Sequence, residues 1–480
     1  MPAVDFADIQ GLARFGHGRL RAAEFLLLEV AAPDAARAWL RSAPLTTAQL
    51  RETPPQTALQ VALTADGLRA LGITEATVSR FPQPFLAGMA GEASRSRRLG
   101  DVGDNDPLNW QWGRPAPHVL LMLYAAEGGL DALMAELRDT NFDTGFRVMR
   151  RLPTGIARGI EPFGFVDGVS EPVIDWDQTF TTDLHRRLGY ANMLAPGELL
   201  LGYPNEYQET APAVLAEAAP GQRATDLARN GSFLVLRQLH QDVRGFWQYL
   251  DRVAGADPAQ RDRLASLMVG RHRDGRGLIP DHENIPGGRS GNNFTYSGDV
   301  DGNVCPVGAH IRRANPRTGD HPAGVSGRWS WLMSTLGFRR RRDGLAGRHD
   351  LVASSRFHRL VRRGREYGSR LSVDEALLPG PDEERGILFV CLCADIVRQF
   401  EFVQEAWLYS ARFDGLGGER DPLTGARTPL PDGTMTDHYS APRLTGLPER
   451  LEGLPQFVTV RGGAYFFMPG IRALQFIAGA

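Results

Sequence analysis

Lysine is missing altogether: all 54 cationic side chains are arginine. They face 56 carboxylates, so the net charge is only −2. A cation set drawn from one residue type reflects coding bias, and arginine richness by itself is no sign of phosphate binding. Near neutrality gives no argument for a nucleic-acid or membrane partner. The run Arg339-Arg340-Arg341-Arg342 has no interleaved aromatics and reads as a solvated loop. The three cysteines, Cys305, Cys391 and Cys393, are too few and too closely spaced for a disulfide framework. Cys391 and Cys393 sit in an apolar strand, the setting of inert thiols. No apolar run approaches the ~20 residues that cross a bilayer. The first residues lack a basic region with an apolar stretch and cleavage site, and lack a twin arginine. A cytoplasmic protein is the expectation. No H-E-x-x-H and no compact His/Asp cluster occurs, which disfavours a metal hydrolase; His272 and His282 read as isolated loop histidines.

What is present is an ordinary globular composition, 42% apolar and 23% charged. A chain of 480 residues can bury roughly three quarters of its unfolded surface. The first half alternates short strands and helices. Strand patterns fall at 24–30, 58–64, 119–124 and 146–151; helical patterns fall at 33–40, 65–72 and 130–137. The β-α-β order with strand pairs suggests a ferredoxin-like α+β unit. Residues 175–225 read as a connector. A second unit follows: strands at 233–237, 357–361 and 387–392, with helices at 241–253 and 396–409. The expected domains are 1–215 and 216–480. Residues 269–305 and 315–350 read as long loops, a length usually functional or mobile.

The stretch with most chemical content is Cys305-Pro306-Val307-Gly308-Ala309-His310-Ile311-Arg312-Arg313-Ala314-Asn315-Pro316-Arg317. It places one histidine after a turn of small residues and follows it with guanidinium groups. Neutral imidazole is the commonest protein ligand for a transition metal. Arginine beside it suits a carboxylate or phosphate held close to that metal. An iron porphyrin combines both features. Two further stretches are Glu161-Pro162-Phe163-Gly164-Phe165-Val166-Asp167-Gly168-Val169-Ser170-Glu171-Pro172 and His358 to Gly368, which contains Arg362-Arg363-Gly364-Arg365-Glu366-Tyr367. The order G-x-x-D-G, then C-P-x-x-A-H-I-R-x-x-N-P-R, then R-R-G-x-x-Y-G resembles the dye-decolorizing peroxidases, a haem peroxidase family. The stretch 230–237 and the run from Gly386 through Trp407 extend the likeness over most of the chain after residue 150.

The resemblance implies a fold of two ferredoxin-like halves with antiparallel sheets, related to the dimeric α+β barrels, with haem in the C-terminal half. It implies His310 as iron ligand, Asp167 as distal acid–base and Arg362 as the distal cation. Arg363 and Arg365 compete for that last role, but strand alternation turns Arg362 and Arg363 to opposite faces. Gly164, Phe165, Val166 and Gly168 would lie against the cofactor, the glycines where a Cβ would meet a flat ring. Arg312 would meet a propionate, or else form a surface salt bridge. Asp395 is a candidate carboxylate behind His310 and equally reads as a helix N-cap. No C-x-x-C-H occurs, so one non-covalent haem b per chain is expected. The implied activity is reduction of hydrogen peroxide to water with oxidation of a bulky phenol or dye through a high-valent iron intermediate. The alternative is a haem-handling protein with little turnover. Oligomeric state is left open.

Overall fold

The computed structural model describes residues 3–180, 190–217, 224–282, 284–318, 355–443 and 446–479. The Arg339–Arg342 run and residues 319–350 of the second long loop lie outside these.

Nine strands form one sheet. The first four are β1 (Ala22–Val30), β2 (Thr57–Leu63), β3 (Val119–Ala125) and β4 (Phe146–Pro153), with α1 (Pro33–Ser42) after β1 and α2 (Leu130–Leu137) after β3. They lie in the order β4-β1-β3-β2, every pair antiparallel. That is the ferredoxin-like arrangement expected from the β-α-β pattern. Both faces of β1 are covered, which is why Phe25-Leu26-Leu27-Leu28 is an unbroken apolar run: alternate residues enter two separate cores. Burying these four side chains is worth about 1.5–3 kcal/mol each. On one face pack α1 and α6 (Ile471–Gly479), where Trp39, Leu40, Leu474 and Ile477 share a core.

The second set is β5 (Ser232–Gln241), β6 (Val361–Arg362), β7 (Arg365–Tyr367), β8 (Gly386–Cys393) and β9 (Val458–Met468). Its order is β9-β5-β8-β6, with β7 also on β8. Taken in chain sequence this repeats the order of the first set, so the fold is two ferredoxin-like halves. They join edge to edge where Phe467 of β9 pairs with Leu63 of β2. Helices α3 (Val243–Val253) and α4 (Pro258–Val269) pack with Trp247, Leu250, Leu264 and Met268 in a core of their own.

Three expectations change. The strand placed at 357–361 is a tight turn at Ser355–His358, followed by β6 and β7. His358 turns away to stack on Phe402, with ring centroids 3.6 Å apart. The helix at 396–409 has wide i→i+5 turns over Ile396–Glu401 and Val403–Tyr409, a form that often marks functional segments. Finally β9 completes the second half and α6 returns to pack on α1 of the first, although the sequence pattern singles out neither.

Candidate active site

A cavity of about 760 Å³ opens over the face of β5, β8 and β9. Strand alternation puts Arg237, Leu239 and Gln241 of β5 on that face, beside Ile387 and Phe389 of β8 and Val458 and Val460 of β9. The volume sits in the upper part of the range for small-molecule sites. Its other walls are the 159–171 loop, which follows the first half, and the short helix α5 (His310–Ala314).

His310 opens α5 after a turn closed by the Ala309 N–H on the Pro306 carbonyl at 3.0 Å. Its Nδ1 lies 2.9 Å from Oδ2 of Asp421. Asp421 is fully buried, and its other oxygen accepts from the Leu423 N–H at 3.0 Å and from the N–H and hydroxyl of Thr424 at 2.8 and 3.0 Å. Burial raises the pKa of this carboxyl, but His310, these donors and Arg313 outweigh burial and bring it below the ordinary range. Burial likewise works against the charged form of His310, and Asp421 reverses the sign to a net rise. Asp421 is therefore held as the carboxylate, and a hydrogen bond to it from Nδ1–H leaves Nε2 as the nitrogen free to meet a ligand in the cavity. Asp395 is not the partner. It caps the helix that follows, its Oδ1 accepting from the Arg398 N–H at 2.9 Å.

Opposite this, the 159–171 loop is shaped by Glu161, whose carboxylate accepts from the Phe163 and Phe165 N–H groups at 3.0 Å and from Gln241 at 2.9 Å. Burial pushes Glu161 up to about 7. The Asp167 N–H reaches the Gly159 carbonyl at 3.0 Å, and its side chain opens into the cavity. One guanidinium nitrogen of Arg362 is 3.2 Å from Asp167 Oδ1. Attraction to Arg362 exceeds the opposing effect of burial, so the Asp167 pKa falls. Glu171 fixes Arg362 from behind: one carboxylate oxygen accepts from its Nε at 2.7 Å, the other from its backbone N–H at 2.9 Å. Arg363 points the other way, donating to the Leu12 and Ala13 carbonyls at 2.9 and 3.1 Å. Arg365 donates to the His17 carbonyl at 2.8 Å.

Phe165, Val166 and Gly168 line the cavity. Gly168 has φ +79°, and a Cβ there would meet nothing within 4 Å, as expected where backbone faces open space. Gly164 does not line it; φ +96° in the tight turn to Glu161 is what requires glycine. Arg312 is also absent from the wall. It is 2% exposed and spends its guanidinium on Asp299 Oδ2 (3.2 Å), the carbonyls of Asp299 (2.9 Å) and Val300 (3.1 Å), and Cys305 O (2.6 Å). It braces the turn before His310 rather than facing a ligand. The cavity wall instead carries Arg271 and Arg359 among several other arginines, including Arg237, Arg363 and Arg365. Among the described residues no group of three or more His, Cys, Asp or Glu could hold a metal, so the one imidazole in the wall would need a ligand that brings its own coordination. A flat tetradentate macrocycle entering between α5 and the 159–171 loop satisfies that condition, and haem fits the donor set.

Sequence reading missed Asp421 and gave Glu171 no role. Asp421 lies 111 positions from His310, and no spacing rule links them. Glu171 stands inside a stretch already singled out; the sign was an acid four residues beyond Asp167.

No family model matches the chain. Curated relatives do. It is 29% identical to dye-decolorizing peroxidase msp1 of Mycetinis scorodonius, over 88% of this chain and 77% of that one. It is 28% identical to the multifunctional dye peroxidase DyP2 of Amycolatopsis, over 87% and 81%. Among solved structures, the dye-decolorizing peroxidase of Auricularia auricula-judae superposes with a TM-score of 0.72 at 25% identity, covering 99% of this chain and all of that one. This likeness spans nearly the whole chain and includes the loop, strand and short helix that surround the cavity: the proteins that the chain is similar to are dye-decolorizing peroxidases.

Proposed function

We propose that this chain is a haem-dependent peroxidase that reduces hydrogen peroxide to water and oxidises bulky phenolic or dye-like reductants. The observation that carries the reading is that the Asp167–Arg362 pair and His310, backed by Asp421, face one cavity. Haem held there supplies iron that accepts peroxide and passes oxidising equivalents on.

His310 would hold the iron, and Asp421, as carboxylate acceptor of a hydrogen bond from Nδ1–H, would make the imidazole a stronger donor. Asp167 would take a proton from one peroxide oxygen and return it to the oxygen that leaves as water. For this it must start as the carboxylate, the form Arg362 favours. Arg362 stabilises the negative charge that develops on peroxide when that proton leaves, and Glu171 holds it in place. Phe165, Val166 and Gly168, which line the cavity, would lie against the ring. Arginines of the cavity wall, rather than Arg312, would neutralise the propionates. Non-covalent binding is supported by the cysteines: all three are buried outside the cavity wall and offer no thiol for attachment. One haem per chain is supported by His310 being the single histidine in that wall.

The test is an absorption spectrum of the protein loaded with haem, before and after one equivalent of peroxide. A Soret band that moves with peroxide and returns when a dye is added is the expected result. A band that never responds would indicate a haem carrier. Absence of any band, or full haem retention by His310→Ala, would overturn the assignment of the ligand.

A further inference from the structure

Five carboxyl groups line the cavity: Asp101, Glu161, Asp167, Glu171 and Glu366. Asp101 is paired with Arg237, and Asp167 and Glu171 both meet Arg362. Glu366 accepts from the Arg158 N–H at 2.8 Å where the wall is exposed. Glu161 is different. Its donors are uncharged, the Phe163 and Phe165 N–H groups and the Gln241 amide, and among the described residues no ion pair reaches it. It is half-buried and borders the cavity. Gln241 can serve either protonation state of this carboxyl. Its Nε2 donates to the carboxylate, while its Oε1 is buried without a partner. A half-turn of the amide exchanges the two atoms, and Oε1 then accepts from the protonated form. The charged groups facing Glu161 do not hold it ionised. Asp167 shares its loop and disfavours a second negative charge there. Arg273, against Gly164 and the Trp247 ring, is shared with Asp262. From β5 comes neutral Gln241, and from α3 comes Trp247, whose indole N–H donates to the Phe163 carbonyl at 3.2 Å. Burial, opposed only in part by the three donors, leaves Glu161 at about 7.

We propose that Glu161, with Gln241, is the proton reserve of the cavity, supplying the protons that turn the second oxygen of peroxide into water. The inference rests on the peroxidase reading. Peroxide becomes two waters by taking up two electrons and two protons. Asp167 moves the proton of one peroxide oxygen to the other, which completes the first water and adds no proton. The second oxygen therefore needs both electrons and both protons from elsewhere. A bulky phenol oxidised at the surface passes its electron inward and leaves its proton in the solvent. Asp167 is not the source, because Arg362 keeps it as the carboxylate. Glu161 instead breaks its O–H bond and passes the proton through cavity water to the Asp167 carboxylate, which hands it to the oxygen. Glu161 then takes a proton from water, and the Gln241 amide turns to match. Two such rounds balance the two electrons. Asp167 is the stronger acid, so it is the consumption of the proton by the oxygen that draws each transfer. Glu161 acts through Asp167 and does not itself touch the reacting atoms.

The test separates the two halves of the reaction by stopped flow on the haem-loaded protein. One equivalent of peroxide is added first, then ferrocyanide, which brings electrons and no protons. A proton donor must start protonated, so the ferrocyanide phase should be full below the Glu161 pKa and fall as pH rises through about 7. Glu161→Gln keeps the shape and removes the exchangeable proton. It should slow the ferrocyanide phase at least tenfold more than the peroxide phase and abolish that limb. Infrared titration of the resting haem-loaded protein gives a readout independent of turnover. A protonated-carboxyl band that fades through about pH 7 should be present in the unaltered protein and missing from Glu161→Gln. Gln241→Leu, which leaves Glu161 in place but takes away a donor to its carboxylate, should move the limb to higher pH. Equal slowing of both phases by Glu161→Gln would make Glu161 a brace of the loop alone and overturn the proposal. So would an infrared band that survives in Glu161→Gln, or a limb that stays where it was in Gln241→Leu. Each of these results leaves the peroxidase intact. A Soret band of the unaltered protein that is indifferent to peroxide would overturn the peroxidase reading itself.

Discussion

Asp167 and Arg362 work as one unit, because each sets the charge of the other. Arg362 is the largest cause of the fall in the Asp167 pKa, and burial pulls the opposite way. The sign of the pH dependence follows. Proton removal from peroxide needs the carboxylate, so the rate is full above the Asp167 pKa and is lost as pH falls through it. With Arg362 present, that acid limb lies below the ordinary carboxylate range. Arg362→Leu removes the lowering charge and leaves the burial, so the limb should move to higher pH while the rate falls by one to several orders of magnitude, as on loss of a preorganised donor. Stopped-flow measurement of the peroxide reaction from acidic to neutral pH decides it; a limb that stays where it was means that another group titrates. Glu171→Ala, which frees Arg362 without removing its charge, should lower the rate with a smaller shift. At this scale the sequence was informative about identity and silent about partners. Asp167, His310 and Arg362 stand in recognisable short patterns. Asp421 was illegible because nothing local marks an acid whose role depends on a loop 111 positions away. Arg312 misled for the opposite reason: it lies beside His310 in sequence, but the helix turns it into the turn at Asp299 and Cys305.

Elements with strong periodicity were legible nearly to their ends. The helical pattern at 130–137 matches α2, and the strand at 119–124 falls one residue short of β3. Elements whose form depends on a tertiary contact were not. In β9 the pair Gly462-Gly463 interrupts the apolar alternation and reads as a break. The strand nevertheless continues through a bulge between Val460 and Gly462. Glycine is needed there because the Trp112 indole lies flat on the strand: a Cβ on Gly462 would come within 2.5 Å of the ring. That indole also donates to Gln238 of β5 at 2.8 Å, tying the loop before β3 to the second half. Gly462→Ala should therefore cost about 1–3 kcal/mol, the usual penalty of overpacking a filled site, despite the better strand propensity of alanine. Denaturant unfolding followed by tryptophan fluorescence measures it; a neutral or stabilising result would show that Trp112 can move aside freely.

At the scale of the whole molecule the two halves share a sheet but touch along its edge through few strand pairs, so other contacts must fix their relation. One is buried and charged. Arg95, from the helix Ala93–Leu99 of the first half, places its Nε 2.8 Å from Glu401 on the wide-turn helix of the second. Both side chains are at most 4% exposed. Glu401 also accepts from the Tyr465 hydroxyl at 2.9 Å, and Arg95 donates to the Gly88 carbonyl at 3.0 Å. Moving either charge out of water is expensive, and the pair roughly offsets that cost only while both members are present. Arg95→Met keeps the volume and strands the Glu401 carboxylate, so it should destabilise by about 3–5 kcal/mol, whereas adding Glu401→Gln should return most of the loss. Sequence reading cannot find such a pair, because 306 positions separate its members and neither stands in a motif. The consequence for function is direct. The wide-turn helix that carries Glu401 supplies Phe400, Val403 and Leu408 to the cavity wall. If the pair fixes that helix against the first half, Arg95→Met should weaken haem retention together with stability, and the double variant should recover both. A loss of stability with haem affinity unchanged would mean that the cavity keeps its shape independently of how the halves are joined.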